Sequence, residues 1–239
     1  MNTGLPLTGL QEIWVYLTGS PLFSLILTLA AYQLGLIIYE RFDKSPLANP
    51  VAIAIALVIA TILALGMPYS EYFEGAQFIH FLLGTATVAL AVPIYKGWHL
   101  LKGRFTPLAI SLFAGAAVSI FSAVGLGIAF DLPKELIAPF YAKSVTAPIA
   151  MGIAETIGAS PTLTAVYAVA TGIIGAILAR YVLDFLRIGQ WWQRGFAIGV
   201  AAHGIGTSRA FSVSAEAGAF ASIGMGLHGV IGAALIPLI

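Results

Sequence analysis

The chain has 239 residues, 59% of them apolar and only 9% Asp, Glu, Lys or Arg, with a formal net charge of +1. A soluble domain carries about 25% charged residues, so a water-soluble globule is excluded, and the near-neutral balance leaves no electrostatic footprint for nucleic acid. Cysteine is absent, which removes disulfides, thiolate nucleophiles and cysteine metal sites.

A chain this apolar must satisfy its backbone groups inside hydrocarbon, as helices or as a closed barrel. Barrel strands alternate apolar and polar residues over about ten positions, whereas Val51–Leu65 and Ala109–Phe130 are long unbroken runs. The sequence therefore predicts an all-α polytopic membrane protein, one transmembrane domain over 1–239. The first twenty residues lack a basic n-region and a small-residue cleavage site, so no cleaved leader is expected. Trp14 and Tyr16 within Leu10–Leu17 read as an interfacial segment. About six spans follow, Leu22–Tyr39, Pro50–Met67, Gln77–Tyr95, Thr106–Phe130, Thr162–Phe185 and Ala217–Ile239, delimited by charges, Pro and Gly. Lys134–Gly158 and Arg194–Arg209 remain as broken or re-entrant segments.

Lys/Arg bias orients the spans. With the N-terminus outside, the cytoplasmic loops hold Arg41, Lys44, Lys96, Lys102, Arg104, Arg187 and Arg194, while the opposite loops hold only Lys134. Span 106–130 must then exit outward and span 162–185 must end inward, so residues 134–158 enter and leave by one face. This predicts a re-entrant hairpin broken near Thr146–Pro148, where proline cannot donate a backbone bond. A single broken span is the rival and would place Arg187 and Arg194 outside. The stretch Lys44-Ser45-Pro46-Leu47-Ala48-Asn49-Pro50 weakly echoes Lys143-Ser144-Val145-Thr146-Ala147-Pro148, which hints at an inverted repeat.

Lys143, Glu155 and Arg209 sit within or beside apolar stretches, where a charge costs at least about 2.5–3.5 kcal/mol. Lys143 with Ser144 and Thr146 precedes a Pro-led helix, whose free N–H groups and dipole suit an anion. The alternative has Thr146 capping the helix and Lys143 snorkelling to headgroups. In Ala201-Ala202-His203-Gly204-Ile205-Gly206-Thr207-Ser208-Arg209, two glycines and an arginine interrupt an apolar segment, and unwound backbone at membrane depth belongs against protein or a water-filled cavity. Arg209 suits a carboxylate, and His203 a proton or the same anion. The alternative is an interfacial turn with Arg209 paired to Glu216. Glu155 would balance Lys143 or carry a coupling proton. Gly195-x-x-x-Gly199 can draw two helices together, although 26 glycines make such spacings common. His80, His99 and His228 share no metal-ligand spacing, and no hydrolase or nucleotide motif is present. Neither a metal, a cofactor nor an enzyme activity is expected.

Taken together, Lys143 through Met151, Thr171-Gly172-Ile173-Ile174-Gly175-Ala176, Arg194-Gly195 through Arg209-Ala210 and Gly218-Ala219-Phe220-Ala221-Ser222 resemble the LrgB/CidB family. Asn49-Pro50 and Ala89–Tyr95 extend the likeness toward the N-terminus, so it covers nearly the whole chain. The resemblance implies an antiholin-like protein that regulates murein hydrolase export and lysis with a small LrgA/CidA-type membrane partner. It equally implies a carrier of glycolate, glycerate or pyruvate, since the family includes such exchangers. Motif positions carried over are Asn49, Lys143, Ser144, Thr146, Glu155, His203, Gly204, Gly206, Thr207 and Arg209. Thr85 stands where the family usually has Pro, with Thr87 two residues on, and Ser212 and Ala217 stand where members tend to carry Glu. The expected function is thus a proton-coupled secondary transporter of small monocarboxylates in the bacterial inner membrane. In it Lys143 and Arg209 neutralise the carboxylate, Ser144, Thr146 and Thr207 bond its other oxygens, and His203 or Glu155 couples a proton. The alternative is a regulator of a holin-type pore. Membrane lipid and, from family habit, a homodimer complete the expected partners.

Overall fold

A computed structural model describes residues 20–89, 92, 95 and 97–239, apart from the side chains at 83, 86, 87 and 98. The Trp14/Tyr16 segment, Lys96, most of the end of the third predicted span and the Thr87 side chain lie outside the described residues. Every regular element described is helical: α1 Pro21–Arg41, α2 Pro50–Ala64, α3 Tyr69–Ala89, α4 Phe105–Ala129, α5 Lys134–Ile137, α6 Ala147–Thr156, α7 Pro161–Phe185, α8 Trp191–Val213 and α9 Ala215–Leu235, with short 3-10 turns between. Helices α1, α4, α7 and the stretch Ala215–Leu238 are long and apolar enough to cross a membrane.

The starts of these helices follow from local chemistry. Ser20-Pro21, Asn49-Pro50 and Ser160-Pro161 each place a side-chain acceptor at the N-cap and proline in the first turn. Helix α2 ends earlier than the predicted Met67. Gly66 takes a φ of 63°, and Met67 N–H returns to the Ile62 carbonyl at 2.9 Å, so orphan carbonyls are satisfied and the helix stops. At 1.5 Å per residue α2 is about 22 Å long, short of the roughly 30 Å hydrocarbon core. Helix α3 starts at Tyr69 rather than Gln77, because Glu71 falls in a first turn that favours negative charge.

Cα packing divides the chain into two units at Gly84/Thr85. In the first, α1 and α2 pack side by side, and a Cβ on Gly35 would meet the Pro50 backbone. Thr28 and Tyr72 hydroxyls bond at 2.8 Å where α3 crosses α1.

The second unit contains two helical hairpins. After α4, the chain runs back along it: Ile137 and Phe140 lie against Gly127, and Lys143 and Ser144 reach Ser119. The chain breaks at 143–146, and α6 then leads to α7. The Phe140 and Tyr167 rings stack at 4.7 Å near the start of α7, so α7 begins at the face where α4 ends. Residues 134–158 therefore enter and leave by one face, as the charge bias requires. Helix α7 returns antiparallel to α4, and Ile188, just past its end, lines one cavity with Pro107 and Leu108 at the face carrying Lys102, Arg104, Arg187 and Arg194. This is called the basic face below.

The second hairpin is α8 itself. His203 has φ 37° and ψ −131° inside the helix, and the chain reverses there. Before the break, Gly195 and Gly199 abut Ala217 and Ala221, and Phe196 abuts Gly224, so this leg runs parallel to α9. After it, Phe211 abuts Gly218 and Thr207 reaches Met225, so the second leg runs antiparallel to α9. Gly206 folds back onto Ile198 and Ala202. The legs measure about 18 and 15 Å at 1.5 Å per residue, each roughly half a membrane. Ser214 alone turns the chain into α9. Thus α4 with its hairpin and α7 with its hairpin are oppositely directed repeats of one motif, the arrangement of an inverted repeat.

Each hairpin has its own core. Leu108, Leu112, Phe196, Val200, Phe220 and Ile223 surround the α8 hairpin, which opens at the basic face and is called the inner one, and Ala142, Val145, Ala150, Ile153, Ala168 and Ile236 the hairpin of residues 134–158, called the outer one. Helix α4 exposes Ile110, Phe113, Val118 and Phe121 outward, as a lipid-facing helix does, whereas α9 is largely buried.

Candidate functional site

The two hairpin tips border one cavity of about 760 Å³. Its walls run from Pro107, Ile188, Trp192 and Gln193 at the basic face to Ser119, Lys143, Ser144 and Thr171 near the middle of α4 and α7. Val200 and Ala201, just before the His203 break, complete the deep end. Among the described residues Lys143 is the single charged side chain in this lining.

Lys143 is half-buried on the outer tip. Its Nζ donates to Ser119 Oγ at 2.9 Å and to Ser144 Oγ at 3.2 Å, and the two serine hydroxyls bond each other at 2.6 Å. An ammonium has three N–H donors, so two are engaged and one is left for a cavity anion. Ser119 is absent from the predicted site residues. A lone serine in an apolar span usually bonds its own helix, and only the fold shows that it meets a residue 24 positions on.

Thr146 occupies the N-cap of α6 but makes no side-chain capping bond. Its hydroxyl is buried without a hydrogen-bond partner among the described residues, so neither expected role, cap nor cavity ligand, is seen in this conformation. It does not line the cavity. Glu155 is exposed on the last turn of α6, and it too stands outside the cavity wall with Lys143.

His203 is buried, with Nε2 2.8 Å from the Ala168 carbonyl. A carbonyl only accepts, so Nε2 donates this bond. Gly172 makes the notch, since a Cβ there would stand 2.7 Å from His203 Cε1. Gly175 does the same for Ala202. His228 on α9 is also buried and donates from Nδ1 to the Val200 carbonyl at 2.9 Å, one of the acceptors released by the break. Metal-ligand spacing is no guide to such a residue, and His228 passed unrecognised in the sequence. Thr207 Oγ1 is spent on the His203 carbonyl at 2.7 Å. Gly204 borders Met225, and Gly206 gives the second leg its close approach to the first.

Arg209 lies on the returning leg and lines a different cavity, with Arg180, Asp184 and Arg194. Its Nη1 donates to Ser212 Oγ at 3.1 Å. The structure therefore does not bring Lys143 and Arg209 together, and the expected two-cation clamp is absent from this conformation. Asn49 belongs to the first unit, where its Oδ1 accepts from Val51 and Ala52 N–H at 3.0 and 3.1 Å and caps α2. At the basic face, Arg104 stacks over Trp192 and Phe220, 5.2 and 5.5 Å from their centroids.

The LrgB-like family profile matches residues 28–239. The chain belongs to the LrgB-like family. It is 34% identical over 215 residues to the uncharacterized protein YxaC of Bacillus subtilis, covering 90% of this chain and 93% of the relative. It is 32% identical over 219 residues to the holin-like protein CidB of Staphylococcus aureus, covering 91% and 95%. The holin-like protein CidB of Staphylococcus epidermidis is 30% identical over 215 residues, covering 90% and 93%. No solved structure matches.

Proposed function

We propose that this membrane protein carries small monocarboxylates, of the glycolate, glycerate or pyruvate type, across the bacterial inner membrane. The observation that supports this most directly is the Lys143–Ser119–Ser144 cluster at the deep end of a cavity that reaches the basic face. A carboxylate moving down that cavity meets one ammonium N–H. Thr171 lies on the same wall for a hydroxyl or keto oxygen. Apart from Ser111 and Gln193, the rest of the wall is largely apolar. Both tips contribute to the wall, so displacing either hairpin against its neighbour changes the face from which Lys143 is reached, as alternating access requires. In this reading His203, next to Ala202 at the hairpin tip, is assigned the coupling proton. Arg209, in its separate cavity, is not part of the binding step in this conformation.

Uptake into proteoliposomes tests the proposal. The wild-type protein is expected to accumulate labelled glycolate or pyruvate under an inward proton gradient. Lys143→Gln loses a charge-assisted bond of about 1.5–3 kcal/mol, roughly 10- to 150-fold in affinity. A wild-type protein that moves neither acid, with or without a gradient, overturns it.

A second reading has the protein tuning a holin-type pore through an LrgA/CidA-type partner, and the printed names of the staphylococcal relatives favour it over carriage. Co-purification with that partner separates the two. Partner binding retained by Lys143→Gln, with transport lost, supports the carrier. Partner binding by a wild-type protein that transports nothing supports the regulator.

A further inference from the structure

A second cavity of about 330 Å³ lies at the basic face, between the last turns of α7 and both legs of α8. Three arginines, Arg180, Arg194 and Arg209, and one carboxylate, Asp184, stand in its wall. Arg194 Nη2 pairs with Asp184 Oδ1 at 2.7 Å, and Arg180 Nε stands 3.7 Å from Oδ2. Arg194 is further committed: Nη1 donates to the Ile188 carbonyl at 2.9 Å, and its guanidinium lies over Trp191 at 5.5 Å. Among the described residues of this wall three guanidinium groups stand against one carboxylate, and Arg209 also donates to Ser212 Oγ. The remaining wall, including Trp191, Ala176, Ile198, Ala210 and Val213, is apolar.

That division of chemistry selects the ligand. Glycolate and glycerate carry a hydroxyl away from the carboxylate that the apolar part of this wall cannot bond, and the methyl of pyruvate covers little of it. Inorganic phosphate would use the arginines and leave the apolar part unoccupied. A phospholipid uses both parts, since its phosphodiester suits the planar donor forks of arginine and the start of its acyl chain suits the apolar side chains beside them. Basic pockets between helices at the cytoplasmic side are where anionic headgroups settle. We propose that this cavity is a binding site for one anionic phospholipid, its phosphate held by Arg180 and Arg209 in front of the Arg194–Asp184 pair. The site is separate from the Lys143 cavity and does not depend on whether the protein carries monocarboxylates.

Native mass spectrometry of the full-length protein in detergent tests this with three probes: dioleoylphosphatidylglycerol, dioleoylphosphatidylcholine and inorganic phosphate. The phosphatidylglycerol adduct is expected to survive activation better than the phosphatidylcholine adduct, with no lasting phosphate adduct. Removing one arginine near the surface should lower phosphatidylglycerol affinity about five-fold, in Arg180→Gln and in Arg209→Gln. Arg180 has an exposed side chain, so its variant will fold, and a melting curve verifies this. Asp184→Asn should raise phosphatidylglycerol occupancy although it removes the partner of Arg194, an effect that a merely structural ion pair would not produce. Equal retention of the two lipids overturns the proposal, as does a preference unchanged in both arginine variants. Phosphate binding as firmly as phosphatidylglycerol would assign the arginines to the free ion instead. A lipid-independent dimer dissolved by Arg180→Gln would give the face to a second copy of the chain.

Discussion

Gly199→Ala tests the packing that holds the inner hairpin. A Cβ there would overlap the Ala221 carbonyl oxygen and stand 2.7 Å from its carbonyl carbon and 2.8 Å from its Cα. Carbon atoms settle at about 3.5–4.0 Å, so the first leg of α8 must retreat from α9 by roughly 1 Å. A gap of 0.5–1 Å forfeits about a quarter to a half of each affected contact, and Phe196, Val200, Phe220 and Ile223 all pack in this region. Overpacking costs about 1–3 kcal/mol when side chains can yield. The obstacle here is backbone, which no rotamer change removes, so a loss of about 3 kcal/mol is expected. The control is Gly152→Ala in α6, where nothing stands within 4 Å of the new Cβ. There the gain in helix propensity should add about 0.5–1 kcal/mol. Thermal unfolding in one detergent should put Gly199→Ala well below wild type and Gly152→Ala at or above it. Equal melting of the two variants would refute the close parallel approach of these helices.

Three further outcomes follow from the breaks. His203→Gly should be more stable than His203→Ala by about 1 kcal/mol or more in a thermal melt, because both lose the bond to Ala168 but only glycine accepts φ 37° without strain; alanine matching glycine would deny the reversal. Thr146→Val removes a buried hydroxyl without a partner among the described residues and should raise stability by about 1 kcal/mol, whereas a loss would mean that the hydroxyl is bonded in the membrane. Because the chain has no cysteine, single cysteines at Gln190 and Ser214 can be labelled without background. An impermeant maleimide should reach both from one side and Ala159 from the other, and labelling of 190 and 214 from opposite sides would exclude the inner hairpin.

Much of this architecture is legible in the residues. The N-cap–proline pairs at Asn49-Pro50 and Ser160-Pro161 announce helix starts. The charge bias alone requires residues 134–158 to return to their face of entry, and the rings of Phe140 and Tyr167 meet as that requires. The inner break is also legible, but not its sharpness. Glycines at 204 and 206 mark the break, yet the chain turns at His203, which is fixed by a carbonyl 35 positions earlier. Sequence spacing carries no trace of that bond. Likewise Gly195-x-x-x-Gly199 is one of many small-residue spacings, and what distinguishes it is the Ala217 and Ala221 backbone facing it. Lys143 and Arg209 are both conspicuous as charges in apolar surroundings. Which cavity each serves depends on the reversal, and so is settled only in three dimensions.

Ser214 is the whole connection between the inner hairpin and α9, and it has mechanical force. Its side chain accepts from Ala217 N–H at 3.4 Å, and its own N–H returns to Ala210, so the joint has no slack. The hairpin and the start of α9 are therefore coupled as a single lever, and the His203 bond to the Ala168 carbonyl, seated at the Gly172 notch, fastens the hairpin's tip to α7.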